Sequence, residues 1–130
     1  CILTDGQGNI TEGPGFNIFV VKDEQAATPK RGVLHGITRH AAILLLEELR
    51  VPVETRPVSL AELKDADEVF ATSTAGGIMP VTKIGAHTVG DGKMGVMTRG
   101  LVDAYWAAHT RGDGWSVAVA DIPRVALAAS

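Results

Sequence analysis

Residues 9–23, N-I-T-E-G-P-G-F-N-I-F-V-V-K-D, set the architecture. Phe16-Asn17-Ile18-Phe19-Val20-Val21 is rich in β-branched and aromatic residues, and it stops at the polar turn Lys22-Asp23-Glu24. Such a run reads as a buried strand. Just before it, Gly13-Pro14-Gly15 must turn sharply, so Glu12 sits beside a constrained backbone. Upstream, Ile2 to Thr4 and Ile10 to Thr11 flank Asp5-Gly6-Gln7-Gly8-Asn9, a dense turn cluster that predicts an opening β-hairpin.

Downstream, Thr28-Pro29 reads as the start of a loop, and Gly32 and Gly36 punctuate the approach to a helix. From Ile37 to Arg50 the apolar residues Ile37, Ala41, Leu44, Leu45 and Leu49 recur at helical spacing, which leaves Arg39, His40, Glu47 and Arg50 to face water. Val51 to Val58, interrupted by Pro52 and Pro57, predicts an edge strand. Ser59-Leu60-Ala61-Glu62 carries the Ser-x-x-Glu capping box of a short helix. Glu68 to Thr72 and Ile78 to Ile84 read as strands joined by Ser73-Thr74-Ala75-Gly76-Gly77. A turn at Gly85 to Gly92 leads to a final helix over Thr98 to Thr110, with Leu101, Val102, Tyr105 and Ala108 inward. Tyr105 and Trp106 are assigned to packing, and the tail from Asp121 reads as frayed. Strands and helices mix irregularly, which predicts an α+β domain whose curved sheet carries helices on its outside.

Composition narrows the classes of function. At 130 residues, 45% hydrophobic and 21% charged, the chain has the make-up of one globular domain. Its 12 basic and 15 acidic residues are scattered and sum to −3, so no basic stripe offers itself to nucleic acid. The longest apolar run, Ala41 to Leu46, is far too short to span a bilayer, and a cytoplasmic location is the expectation. Cys1 is the single cysteine, so no internal disulfide can form. His35, His40, His87 and His109 show no metal-ligand spacing, and no metal is expected.

Three segments carry chemistry. A carboxylate at Glu12, paired with a pyridinium N–H, would stabilise the charged ring and make it a better electron sink; a solvated turn residue is the competing account. Gly36-Ile37-Thr38 opens the strongest helix, where unpaired N–H groups and the positive end of the macrodipole suit an anion; ordinary helix entry is the competing account. Ser73-Thr74-Ala75-Gly76-Gly77 is small, hydroxylated and conformationally free, so several N–H groups can converge on an anion, although taken alone the segment reads more simply as a plain hairpin turn.

Taken in order, Glu12 five positions before Asn17, then Leu34-x-Gly36-Ile37-x-Arg39, then Ser73-Thr74-Ala75, this pattern resembles the fold-type-IV pyridoxal-phosphate enzymes, the class IV aminotransferases. The likeness runs from about Leu3 to Ala108. Glu-Gly-Pro-Gly-Phe-Asn and Thr-Ala-Gly-Gly-Ile-Met-Pro look most like the amine transaminases, with branched-chain enzymes next; Pro14 and Ala26 depart from the usual pattern and blur the subfamily.

The resemblance implies the large, C-terminal domain of the D-amino-acid aminotransferase-like fold and the cofactor pyridoxal 5'-phosphate. Glu12 would bind the ring nitrogen, Gly36, Ile37 and Thr38 the phosphate at the helix start, and Ser73 and Thr74 a further phosphate contact, with Thr74 and Ala75 facing the substrate. It implies amino transfer between an amine or amino acid and a 2-oxo acid, in a homodimer.

The family's Schiff-base lysine and small domain would lie before the segment matching residue 1. No catalytic lysine is therefore assigned here, and the chain is expected to be the C-terminal part of a longer protein, inactive alone. Lys22 is excluded by its distance from Glu12, about 33 Å if ten residues of strand separate them. The alternatives are a non-catalytic phosphate-binding or dimerisation module, a related lyase such as aminodeoxychorismate lyase, and a hydrolase using the free amine and thiol of Cys1.

Overall fold

The computed structural model describes residues 1–118 and residue 121. Its centre is β2 (Phe16–Lys22), which pairs antiparallel with β5 (Glu68–Ser73) on one side and with β3 (Gln25–Pro29) on the other. β4 (Val53–Arg56) adds parallel to β3, and β6 (Gly77–Pro80) adds antiparallel to β5. The order is β4-β3-β2-β5-β6, with the two-residue β1 (Glu12–Gly13) also paired to β2. A separate small hairpin joins β7 (Lys83–Ile84) to β8 (His87–Thr88). The sheet is mixed, with β3–β4 its parallel pair and the other pairs antiparallel.

Alternation along β2 builds a core on each face. Ile18 and Val20 join Ile10, Val58, Leu63, Ala66 and Val69 on one side. Phe19 and Val21 join Ala42, Leu45, Leu46, Phe70 and Leu101 on the other, where the rings of Phe19 and Phe70 stack at 4.7 Å. Helices α1 (Ile37–Glu48) and α3 (Val96–Ala108) cover the second face, and α2 (Leu60–Asp65) covers the first. The Ser59 capping box is formed in both directions: Ser59 Oγ accepts from Glu62 N, and Glu62 Oε2 accepts from Ser59 N. No helix among the described residues is long and apolar enough to cross a membrane.

Several sequence expectations need correction. The segment read as a loop at Thr28-Pro29 ends β3, whose small residues Ala26, Ala27 and Thr28 are all buried. Its hairpin turns at Asp23 and Glu24, both with positive φ (48° and 60°), without the Asn-Gly pair that normally advertises such a turn. Asp67 compensates, its Oδ2 accepting from Asp23 N at 3.0 Å. The opening hairpin is reduced to a Thr4–Ile10 bridge flanked by Leu3–Glu12 and Thr11–Leu3 backbone bonds. Ile78 to Ile84 is not one strand, because β6 ends at Pro80 and the chain restarts at β7.

Helix α1 is rotated from the face that the pattern suggested. Its buried residues are Thr38, Arg39, Ala42, Leu45 and Leu46, while Ile37 is 86% exposed and Leu44 and Leu49 are also exposed. Arg39, expected in water, donates from Nη2 to Pro29 O at 3.0 Å and from Nε to Thr28 Oγ1 at 3.3 Å. Trp106, assigned to packing, is 54% exposed and stacks on His109. The distance argument against Lys22 also changes. The chain reverses at Gly13–Gly15 so that Glu12 faces Asn17, which leaves only five residues of strand, about 17 Å, between the Glu12 end and Lys22. Apart from Asp121 itself, the tail read as frayed lies outside the described residues.

Candidate active site

The site is built where β1, β2 and β5 end against the start of α1. Antiparallel pairing sets Glu12 opposite Asn17, and the β2–β5 register sets Asn17 opposite Thr72. Residues distant in sequence therefore share one sheet end. The turn after β5 follows at once: Gly77 takes φ +65° and pairs with Ser73, whose Oγ accepts from Gly76 N at 3.0 Å. A small concavity of about 110 Å³ lies there, lined by Glu12, Asn17, Gly36, Thr72, Thr74 and their neighbours, including Ile37, Thr38 and Ser73. The sequence-predicted residues Glu12, Gly36, Ile37, Thr38, Ser73 and Thr74 are thus brought together. Ala75, expected to face a substrate, is exposed on the turn and does not line the concavity.

Glu12 is held on one oxygen. Its Oε2 accepts from Leu34 N at 2.7 Å and from Asn17 Nδ2 at 3.1 Å. No donor among the described residues is bonded to Oε1, which leaves that oxygen able to accept from a ligand. A carboxylate with one lone-pair set fixed by the fold and the other open is oriented toward a cationic N–H.

Across the concavity, α1 begins at Gly36 with no side-chain cap and no acidic residue in its first turn. The N–H groups of Ile37, Thr38 and Arg39 have no intrahelical acceptor, and twelve residues of helix align behind them. Beside them Thr72 Oγ1 is buried without a hydrogen-bond partner. A buried orphan hydroxyl is costly unless something accepts or donates there. Arg39, buried in the same wall, adds positive charge with no carboxylate among the described residues against it, and burial pushes its guanidinium below its ordinary value without removing the charge. One end of this site suits a protonated ring nitrogen and the other a phosphate, so the donor set fits pyridoxal 5'-phosphate. No lysine lines the concavity.

Asn17, Thr72 and Arg39 were not predicted as site residues. Asn17 could have been suspected as the polar residue within the apolar run at residues 16–21, but its pairing with Thr72 depends on a register that sequence alone does not supply. A larger groove of about 680 Å³ between α1 and the end of α3 shares Ile37 and Thr38 with the site. It contains neither Glu12 nor the Ser73–Thr74 turn, so the chemistry belongs to the smaller concavity. Among the described residues no cluster of His, Cys, Asp and Glu could hold a metal.

The amino-transferase class IV family model matches residues 1–84. A probable branched-chain-amino-acid aminotransferase of Aquifex aeolicus is 46% identical over 110 residues, covering 82% of this chain and 35% of that protein. The crystal structure of branched-chain amino acid aminotransferase from Escherichia coli superposes with a TM-score of 0.78 at 40% identity, covering 82% of this chain and 37% of that one. A T.th. branched-chain amino acid aminotransferase, complexed with N-(5'-phosphopyridoxyl)-L-glutamate, superposes with a TM-score of 0.79 at 33% identity, covering 82% and 37%. The chain therefore spans little more than a third of the length of these three relatives. It belongs to the amino-transferase class IV family, and the relatives it matches there are branched-chain-amino-acid aminotransferases.

Proposed function

We propose that this chain forms the ring-nitrogen and phosphate ends of a pyridoxal 5'-phosphate site, and that the intact protein transfers amino groups between an amine or amino acid, of branched-chain type or a primary amine, and a 2-oxo acid. The carrying observation is the pairing, within one concavity, of a Glu12 carboxylate with one oxygen open and an uncapped helix start beside the orphan Thr72 hydroxyl. When bound, the cofactor supplies the electron sink for chemistry at the amino-bearing carbon. Glu12 accepts the ring N–H and keeps that nitrogen protonated. The Ile37 and Thr38 N–H groups hold the phosphate dianion, with the Thr74 hydroxyl as a further donor. Ser73 fixes the β5–β6 turn by accepting from Gly76 N, which presents Thr74 to the concavity while Ala75 stays exposed on the turn.

The covalent lysine comes, in this reading, from a segment outside these 130 residues. Lys22 points elsewhere, at the far end of β2, where its Nζ bonds Asp65 O and Asp67 Oδ1. The names of the relatives support the branched-chain side of the motif pattern. The test is Glu12→Gln in the intact protein, assayed for amino transfer from leucine, isoleucine or valine to 2-oxoglutarate. Removing the charge at the ring nitrogen is expected to lower kcat by roughly a hundredfold while the protein stays folded. Undiminished turnover would remove Glu12 from the site.

A further inference from the structure

Asn17 stands out because its side chain touches both halves of the site. It is 5% exposed, and both amide N–H bonds are used: Nδ2 donates to Glu12 Oε2 at 3.1 Å and to Leu34 O at 2.9 Å. Leu34 closes the loop, its own N donating to the same Glu12 oxygen at 2.7 Å. The Leu34 carbonyl also accepts from Gly36 N at 2.9 Å, and Gly36 is the entry to α1. On its other side the Asn17 amide oxygen lies against Gly36 itself, where a Cβ would come within 2.5 Å of it.

That last contact explains the glycine. At φ −62° and ψ 142° any residue could adopt the Gly36 backbone, so glycine is required here for space and not for conformation. One buried amide therefore fixes the acid at the ring end and determines how the phosphate-binding helix begins.

We infer that Asn17 is the positioning residue of this site, orienting Glu12 toward the ring nitrogen and coupling that orientation to the helix entry at Gly36. The inference rests on the cofactor-site reading given above. Its distinctive consequence is that a change at the phosphate end is felt at the ring end through Asn17.

The experiment compares Asn17→Asp, Gly36→Ala, Glu12→Gln and Ser59→Ala in the intact holoenzyme. Four quantities are read: the absorption maximum of bound pyridoxal 5'-phosphate, its dissociation constant, kcat and KM separately, and the melting temperature. Asn17→Asp keeps the shape but puts a carboxylate oxygen in place of the donor, beside Glu12, and Gly36→Ala must push the amide aside. Both are expected to move the absorption maximum in the same direction as Glu12→Gln, and to lower kcat roughly ten- to a hundredfold with KM within about threefold. Ser59→Ala, in the remote α2 cap, lowers the melting temperature and leaves the absorption band in place. If Asn17→Asp does not fold, Gly36→Ala decides alone. A shifted band in Glu12→Gln with unshifted bands in Asn17→Asp and Gly36→Ala overturns the positioning role and leaves the site reading standing. An unshifted band with full turnover in Glu12→Gln overturns the site reading, and this inference with it.

Discussion

Arg39 carries a full charge into the wall of the site, and its bonds go to a proline carbonyl and a threonine hydroxyl with no carboxylate between them. Thr28 passes the link on, donating from Oγ1 to Ile18 O at 2.8 Å, so α1, β3 and β2 are tied by one buried path. Arg39→Met keeps much of the stem's packing but strands the Pro29 carbonyl. A loss of about 1–3 kcal/mol is expected by chemical denaturation. Arg39→Lys restores little of it, because a point ammonium cannot reproduce the planar fork. Glu12, Gly36, Ile37, Thr38, Ser73 and Thr74 were legible in the sequence as candidates, because turn glycines and a helix start announce themselves locally, and the fold brings them to one concavity. Asn17 and Arg39 were not, since each acts through a partner brought from another element, and Thr72 was not, since only the β2–β5 register carries it to this sheet end.

Element boundaries show the same division between local and distant causes. The α2 capping box was readable because donor and acceptor stand three residues apart, and it is formed as read. β3 was missed because its turn residues, Asp23 and Glu24, are steadied by Asp67, which arrives just before β5. The stripe of α1 was misassigned because a period fixes spacing but not phase; Ile37 and Arg39 exchange the roles their polarity suggests. For α2, Ser59→Ala is expected to cost about 1 kcal/mol. Glu62 adds a pH dependence. Hydrogen bonding from the Ser59 N–H, then the Arg56 guanidinium and the Ser59 hydroxyl, holds its carboxyl below the ordinary value of 4.5. Between the two values the unfolded chain binds the proton more readily, so this contribution is present above pH 4.5 and is lost as pH falls through the lower folded value. A Glu62→Gln variant should show a shallower fall in stability across that acid range, read from denaturation midpoints at a series of pH values.

The whole molecule depends on β2, buried on both faces and paired on both edges. Phe19 and Phe70, stacked from adjacent strands and completely buried, anchor the side that α1 and α3 cover. Phe70→Ala is expected to cost about 3–5 kcal/mol in denaturant unfolding. An unchanged midpoint would mean that this stack is not central to stability. Sheet order was less legible than strand identity, because the chain runs from β2 through β3, α1, β4 and α2 before β5 returns to pair with it, and no local signal encodes that pairing.

The register that places Asn17 opposite Thr72 has a consequence for how the site comes into being. Its two walls belong to strands joined only after the long excursion through β3, α1, β4 and α2 has been closed, the kind of contact that forms slowly along a folding route. The concavity is complete only once β2 and β5 are paired, so a molecule seated in it binds the completed fold. By mass action its binding energy then adds to the stability of the entire domain, and occupancy becomes a report on whether folding has finished.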